Sequence, residues 1–268
     1  MSAAPGRSPA SSHRSPQSEG SNTSGWLCIA GLGPGDEALV TPEVHQSLDQ
    51  ATDVLGYIPY VARVALREGL VLHPSDNRVE LERARAALAL SAAGGRVVLV
   101  SSGDPGVFAM ASAVFEAMED RPDWQALDVR VLPGITAMLA AAARAGAPLG
   151  HDFCTINLSD NLKPWALIEK RLRAAQGADM AMAFYNPRSA SRPHTFEQVL
   201  QVLRETCEPE RLLVFARAVS TPQERLLCVS LAEAQADMAD MRTLVIVGSS
   251  TTRRVGRFVY TPRSVEAA

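Results

Sequence analysis

Lysine is almost missing from this chain: of 26 basic residues, only Lys163 and Lys170 are lysines. The arginines that take their place suit carboxylate ligands, whose two oxygens match the guanidinium fork, although genome composition alone produces the same bias. Cysteine is sparse, and Cys28, Cys154, Cys207 and Cys228 include no CxxC pair. That spacing argues against a zinc site or a disulfide framework and fits a reducing, cytoplasmic setting. No apolar run reaches the roughly 20 residues of a membrane span, so no membrane is expected. The net charge of -3 gives no reason to expect nucleic acid either. His13, His45, His73, His151 and His194 are scattered, with no metal-ligand spacing, and no metal is expected. No nucleophile elbow, P-loop or short-period repeat is present. Residues 1–24 are rich in Ser, Pro and Gly, lack a signal-peptide apolar region, and read as a disordered tail.

What remains is 268 residues, 47% hydrophobic, enough for a large core in one or two domains. Apolar runs at 27–30, 54–57, 97–101, 129–132, 155–158, 180–185, 212–216, 226–229 and 244–248 read as strands. Helical patterns cover 42–50, 78–93, 107–118, 135–145, 165–176, 195–204 and a short stretch at 231–238. This alternation predicts two α/β domains, the first with a mainly parallel sheet and the second with a mixed sheet. The expected bounds are 25–132 and 133–263, with the seam at Leu132-Pro133-Gly134. Ligands of open α/β sheets sit beyond the carboxyl ends of strands, so the loops after strands carry the function.

The first such loop is Gly31-Leu32-Gly33-Pro34-Gly35-Asp36. A dinucleotide fingerprint needs glycine at 36, where Asp36 repels pyrophosphate. Pro34 removes an amide that a phosphate nest uses. Asp53 has the spacing of a ribose-binding acid but precedes its strand. The loop therefore reads as a close-approach turn for another ligand, or as a structural turn. In Ser102-Gly103-Asp104-Pro105-Gly106, Asp104 is the expected N-cap and Pro105 the first residue of a helix whose free amides suit an anion. Pro133-Gly134-Ile135-Thr136-Ala137 repeats the pattern. Tyr185-Asn186-Pro187-Arg188 gathers polar and aromatic groups at a strand end. Gly248–Arg254 closes with two adjacent arginines. Such turns suit a reaction whose reactive power lies in the ligands, with the protein supplying position and electrostatics.

Taken in order, "GLGPGD…TPE", "SSGDPGVFAMASAVFE", "LPGITAM" and "FYNPRS" resemble the tetrapyrrole methylases. "VLGYIPYV", "NLSDNLKPWALIEKRL", "YNPRSASR" and "VGSSTTR…TPR" resemble the branch that methylates C(17) in cobalamin biosynthesis. The likeness spans about residues 25 to 263. It implies two α/β domains around a cleft for S-adenosyl-L-methionine, usually in a homodimer. It implies C(17) methylation of precorrin-3B, with contraction of the macrocycle to precorrin-4. The alternatives are the cobalt-factor III counterpart or a non-catalytic tetrapyrrole carrier. Carried over motif by motif, the cofactor residues are Pro34, Ser102, Gly103, Asp104, Val107, Thr136, Ala137, Asn186 and Val229. Arg188, Arg192, Arg253 and Arg254 are the candidates for the carboxylates of the tetrapyrrole substrate. Ser102 stands where relatives have glycine. Gly56-Tyr57-Ile58 replaces the Val-Tyr-Asp of the uroporphyrinogen methylases, so no catalytic acid or base is assigned.

Overall fold

The computed structural model describes residues 25–77 and 79–264; the expected tail at 1–24 lies outside them. The chain opens with β1 (Trp26–Gly31), α1 (Pro42–Gln50), β2 (Asp53–Tyr57), α2 (Ile58–Val61), β3 (Val71–Ser75), α3 (Glu80–Ala92), β4 (Arg96–Ser101), α4 (Met110–Met118), α5 (Pro122–Gln125) and β5 (Asp128–Leu132). Its five strands form one parallel sheet in the order β3-β2-β4-β1-β5. Both faces are covered, which is why β1 and β4 are apolar almost without interruption. Leu27, Ile29, Val97 and Leu99 pack with α3 and α4, while Cys28, Ala30, Val98 and Val100 pack on the face of Val44. Helix α1 shows how the sequence sets an end: Thr41 caps the Val44 amide, Pro42 holds the first turn and Glu43 complements its dipole.

The chain continues with α6 (Ala137–Ala145), β6 (Gly146–Ala147), β7 (Phe153–Asn157), α7 (Trp165–Gly177), β8 (Ala181–Tyr185), α8 (Thr195–Thr206), β9 (Leu212–Arg217), β10 (Arg225–Ser230), β11 (Thr243–Val247), β12 (Arg253–Val255) and β13 (Phe258–Tyr260). The second sheet runs β10-β9-β11-β8-β7, antiparallel except for β7 and β8. It is the mixed sheet that the sequence predicts. Alternation divides its faces: Ala183, Val214, Ala216, Leu244 and Ile246 meet the alanines of α6, and Met182, Phe184, Leu213 and Phe215 meet α7 and α8. Each large side chain fully buried this way contributes roughly 1.5–3 kcal/mol. Strands β12, β13 and β6 form a small third sheet beyond the end of α6.

Three expectations need correction. The helix expected at 107–118 begins only at Met110, because Phe108 is left-handed at φ 53° and Ala109 is extended. Asp104 is therefore no helix N-cap, nor Pro105 a first helical residue. The helix expected at 231–238 shrinks to a 3-10 turn at Ala236–Met238. The Leu231 and Ala232 amides are drawn to the Arg211 and Pro209 carbonyls instead. Strand β3 escaped detection because it carries His73 and Pro74; proline is tolerated there because β3 is an edge strand.

Candidate functional site

Strands β4, β1 and β5 are neighbours, so their carboxyl ends deliver the loops at 31–36, 102–109 and 133–136 to one place. Glycine lets these loops touch backbone to backbone. Gly33 and Gly103, both left-handed (φ 64° and 63°), exchange two main-chain hydrogen bonds of 3.2 and 2.9 Å. A Cβ on Gly134 would lie 2.2 Å from the Gly103 carbonyl oxygen, and one on Gly31 would lie 2.8 Å from Gly134. Gly35 meets the second sheet's β9–β10 turn, where a Cβ would lie 2.7 Å from the Ser220 oxygen. The glycines of the first motif are thus spent on their neighbours, which explains why the loop resembles a nucleotide cradle without being one. The Arg63 guanidinium braces it from behind, donating to the carbonyls of Leu32 (2.5 Å) and Gly33 (3.4 Å).

Asp104 ties the loops further. One carboxylate oxygen accepts from the Gly106 amide at 2.8 Å and the other from Gly134 at 3.0 Å, thirty residues on. Ser102 is half-buried just after the end of β4. Val107 is half-buried, and the Phe108 ring, half exposed, meets Tyr185 edge-on at 5.3 Å. A left-handed phenylalanine is a genuine outlier, and such strain persists where the surroundings impose it.

Thr136 starts α6 and is buried, yet it does not cap the helix. Its hydroxyl turns to Tyr185 at 2.5 Å, and the Tyr185 oxygen accepts from the Met138 amide at 3.1 Å. A tyrosine from β8 therefore caps α6 from outside. Burial pushes the Tyr185 phenol up, so it stays protonated while its oxygen accepts from Met138. Ala137, half-buried, follows Thr136. The rim thus offers main-chain oxygens, one carboxylate and two hydroxyls beside apolar Val107 and Phe108. That donor set fits a cation with an apolar periphery, as a sulfonium cofactor is.

Pro34 is half-buried on the first loop. Asn186 leaves β8 left-handed at φ 52°, its amide held by Asn157 at 3.1 Å. The Val229 side chain packs toward the core formed by α7 and α8, on the face opposite α6. The four arginines do not converge. Arg188 donates to the Pro193 carbonyl and borders a hollow of about 440 Å³ with Met241 and Arg242. Arg192 is buried, its donors taken by the Leu158 and Asn186 carbonyls and its charge 3.8 Å from Asp160. Arg253 and Arg254 are exposed on β12, in the small sheet beyond α6, and Arg254 donates to the Cys228 carbonyl. Sequence reasoning passed over Tyr60, Arg63 and Arg83, which the structure brings to the carboxyl ends of the first sheet's strands. Arg83 had a visible signal: it stands in register with the buried stripe Ala84, Ala87 and Leu88 of α3.

The profile of the family described as Tetrapyrrole (Corrin/Porphyrin) Methylases matches residues 27–235. The chain is 48% identical over 245 residues to a precorrin-3B C(17)-methyltransferase of Sinorhizobium sp., covering 89% of this chain and 96% of that protein. It is 39% identical over 241 residues to a probable cobalt-factor III C(17)-methyltransferase of Salmonella typhimurium, covering 88% and 98%. The crystal structure of the methyltransferase CobJ superposes with a TM-score of 0.88 at 67% identity, covering 89% of this chain and all of that one.

Proposed function

The chain belongs to the tetrapyrrole methylase family, and on that premise we propose that it is the S-adenosylmethionine-dependent enzyme that methylates precorrin-3B at C(17), with contraction of the macrocycle to precorrin-4 in cobalamin biosynthesis. The observation that carries the reading is the rim in which Gly31, Gly103 and Gly134 interlock and Asp104 joins two of the three loops. The greater likeness to the precorrin-3B enzyme than to the cobalt-factor III enzyme favours the metal-free substrate.

The cofactor supplies an activated methyl group, and the substrate supplies the electron-rich carbon. The work left to the protein is alignment and exclusion of water, which can supply several kcal/mol of the barrier. Ser102, Gly103, Thr136 and Ala137 would hold the cofactor mainly through main chain, with Pro34, Val107 and Phe108 closing its apolar side. Asp104 holds the rim and places negative charge beside the sulfonium. Tyr185 fixes the start of α6 and hence Thr136. Asn186 stands at the end of β8, where the adenosine would lie, and Val229 would contribute through its backbone. Arg188, Arg253 and Arg254 could meet outlying carboxylates only separately. Arg192 leaves the set, since its donors serve the fold.

We read residues 25–132 and 133–263 as two domains flanking the cleft. No helix among the described residues is long and apolar enough to cross a membrane, and we place the enzyme in the cytoplasm as a homodimer, which sedimentation equilibrium tests. The decisive assay incubates the protein with S-adenosylmethionine and either precorrin-3B or cobalt-factor III. A mass gain of one methyl on precorrin-3B is expected; a gain on cobalt-factor III alone would reassign the substrate, and none with either would sink the reading.

A further inference from the structure

At the carboxyl ends of the first sheet's strands lies a group that the rim does not use. Arg83 is 6% exposed, yet among the described residues it forms no ion pair. Its Nε donates to Ser75 Oγ at 2.7 Å and its Nη2 to the Asp76 carbonyl at 2.5 Å. Its Nη1 reaches only the Met110 sulfur, at 3.4 Å. A guanidinium has five donors, and a thioether is a weak acceptor. The acid that bears on it is Glu80 on the same helix, which is not bonded to it, and a buried cation without a bonded anion is costly.

A second guanidinium repeats the pattern. Arg63 is half-buried, bonded to two carbonyls and absent from every ion pair among the described residues. The Arg63 amide donates to the Tyr60 carbonyl at 3.1 Å, and the Tyr60 hydroxyl feels the charge of both arginines. Burial lowers the proton affinity of both guanidinium groups, although Glu37 bears on Arg63 and Glu80 on Arg83. Tyr57, Ser75 and Ser101 end the adjacent strands β2, β3 and β4, so this cationic corner lies on the same sheet edge as Ser102. Ile58 opens α2 directly after β2 and Phe108 sits on the loop leaving β4; each is about half exposed and offers apolar surface for a flat ring.

We propose that Arg83 and Arg63, both anchored at the carboxyl ends of the first sheet's strands, form a receptor for carboxylate side chains of the tetrapyrrole substrate. A carboxylate there would accept charge-assisted hydrogen bonds from the guanidinium donors left over and would orient the macrocycle against the methyl donor. The assignment rests on the tetrapyrrole methyltransferase reading, and the test keeps the two apart. The wild-type protein must first methylate precorrin-3B; if it does not, that reading fails before any variant is made.

Given that activity, Arg83→Met removes the charge at similar volume. The KM for precorrin-3B should rise roughly 10- to 100-fold, the range of a lost hydrogen bond to a charged group. Calorimetric affinity for S-adenosylhomocysteine should stay within about twofold, and Arg83→Lys should restore part of the KM. Quenching of uroporphyrin III, an octacarboxylate, by the S-adenosylhomocysteine-loaded enzyme should weaken in parallel. Arg83→Gln, which also removes the charge, provides the same readouts if Arg83→Met does not fold. An unchanged KM would overturn the proposal. So would equal losses of melting temperature, S-adenosylhomocysteine affinity and KM in both Met and Lys variants, which would mark Arg83 as a strut.

Discussion

Replacing Gly134 with alanine puts the interlocked rim to its hardest test. The new Cβ would stand 2.2 Å from the Gly103 carbonyl oxygen and 2.9 Å from both the Gly31 carbonyl carbon and Cα. All three neighbours are main chain, so no side chain can rotate away. A carbon and a carbonyl oxygen normally stay about 3.3 Å apart, so the loops must part by roughly 1 Å. Overpacking of this kind typically costs about 1–3 kcal/mol, a few to roughly ten degrees of melting temperature for a chain this long. The functional effect should be larger, because a displacement of about 1 Å near the reacting groups can cost around a hundredfold in rate. Calorimetry with S-adenosylhomocysteine and methyl transfer to precorrin-3B read the two consequences. Gly177 at the end of α7, where an added Cβ meets nothing within 4 Å, serves as the control. Gly177→Ala should leave binding unchanged and stability equal or slightly higher. If Gly134→Ala bound the cofactor and melted like the wild type, the interlock would not hold the site.

Tyr185→Phe strips α6 of its outside cap and orphans the Met138 amide; we expect about 1 kcal/mol of lost stability and weaker S-adenosylhomocysteine binding, and an unchanged affinity would refute the positioning role. Asp104→Ala should weaken S-adenosylmethionine in calorimetry and cost about 2 kcal/mol by freeing the Gly106 and Gly134 amides, more than the loss of a helix cap; a melting temperature equal to that of the wild type would contradict this. Arg192→Met should lower the melting temperature by several degrees, since it orphans the Leu158 and Asn186 carbonyls, and an unshifted melt would return Arg192 to the surface-ligand candidates. Glu208 is held below the usual carboxylate range by its hydrogen bond to Arg211. Its folded-state pKa is depressed, so its stabilisation is present above the unfolded value of about 4.3 and is lost as pH falls through the folded one. Glu208→Gln should therefore flatten the acid limb of the melting profile below about pH 4, and a limb identical to that of the wild type would argue against it.

The strands that carry the cleft were legible because parallel, doubly covered strands are continuous apolar runs, as in Val97–Val100. The loops were legible because glycine and proline punctuate them. Harder to read was what each glycine faces. Gly31 and Gly134 lie about a hundred residues apart in sequence, and only the pairing of β1 with β5 brings them together. Helix α4 was placed too early because Asp104-Pro105 makes a sound local start, which the left-handed Phe108 overrides. The arginines after strand ends drew attention because loops carry function, whereas Arg83 hid inside a helix, and the neutral partners of its guanidinium are a fact of three dimensions.

A rim whose spacing is written in main chain has a practical consequence for anyone who wants a different alkyl donor to enter. The Gly33–Gly103 bridge leaves no side chain there to trim. If the rim holds the sulfonium as proposed, room for analogues with longer chains has to come from Ser102, Val107 or Thr136, the residues that decorate the frame. The glycines are the one place where a library would return mostly dead clones.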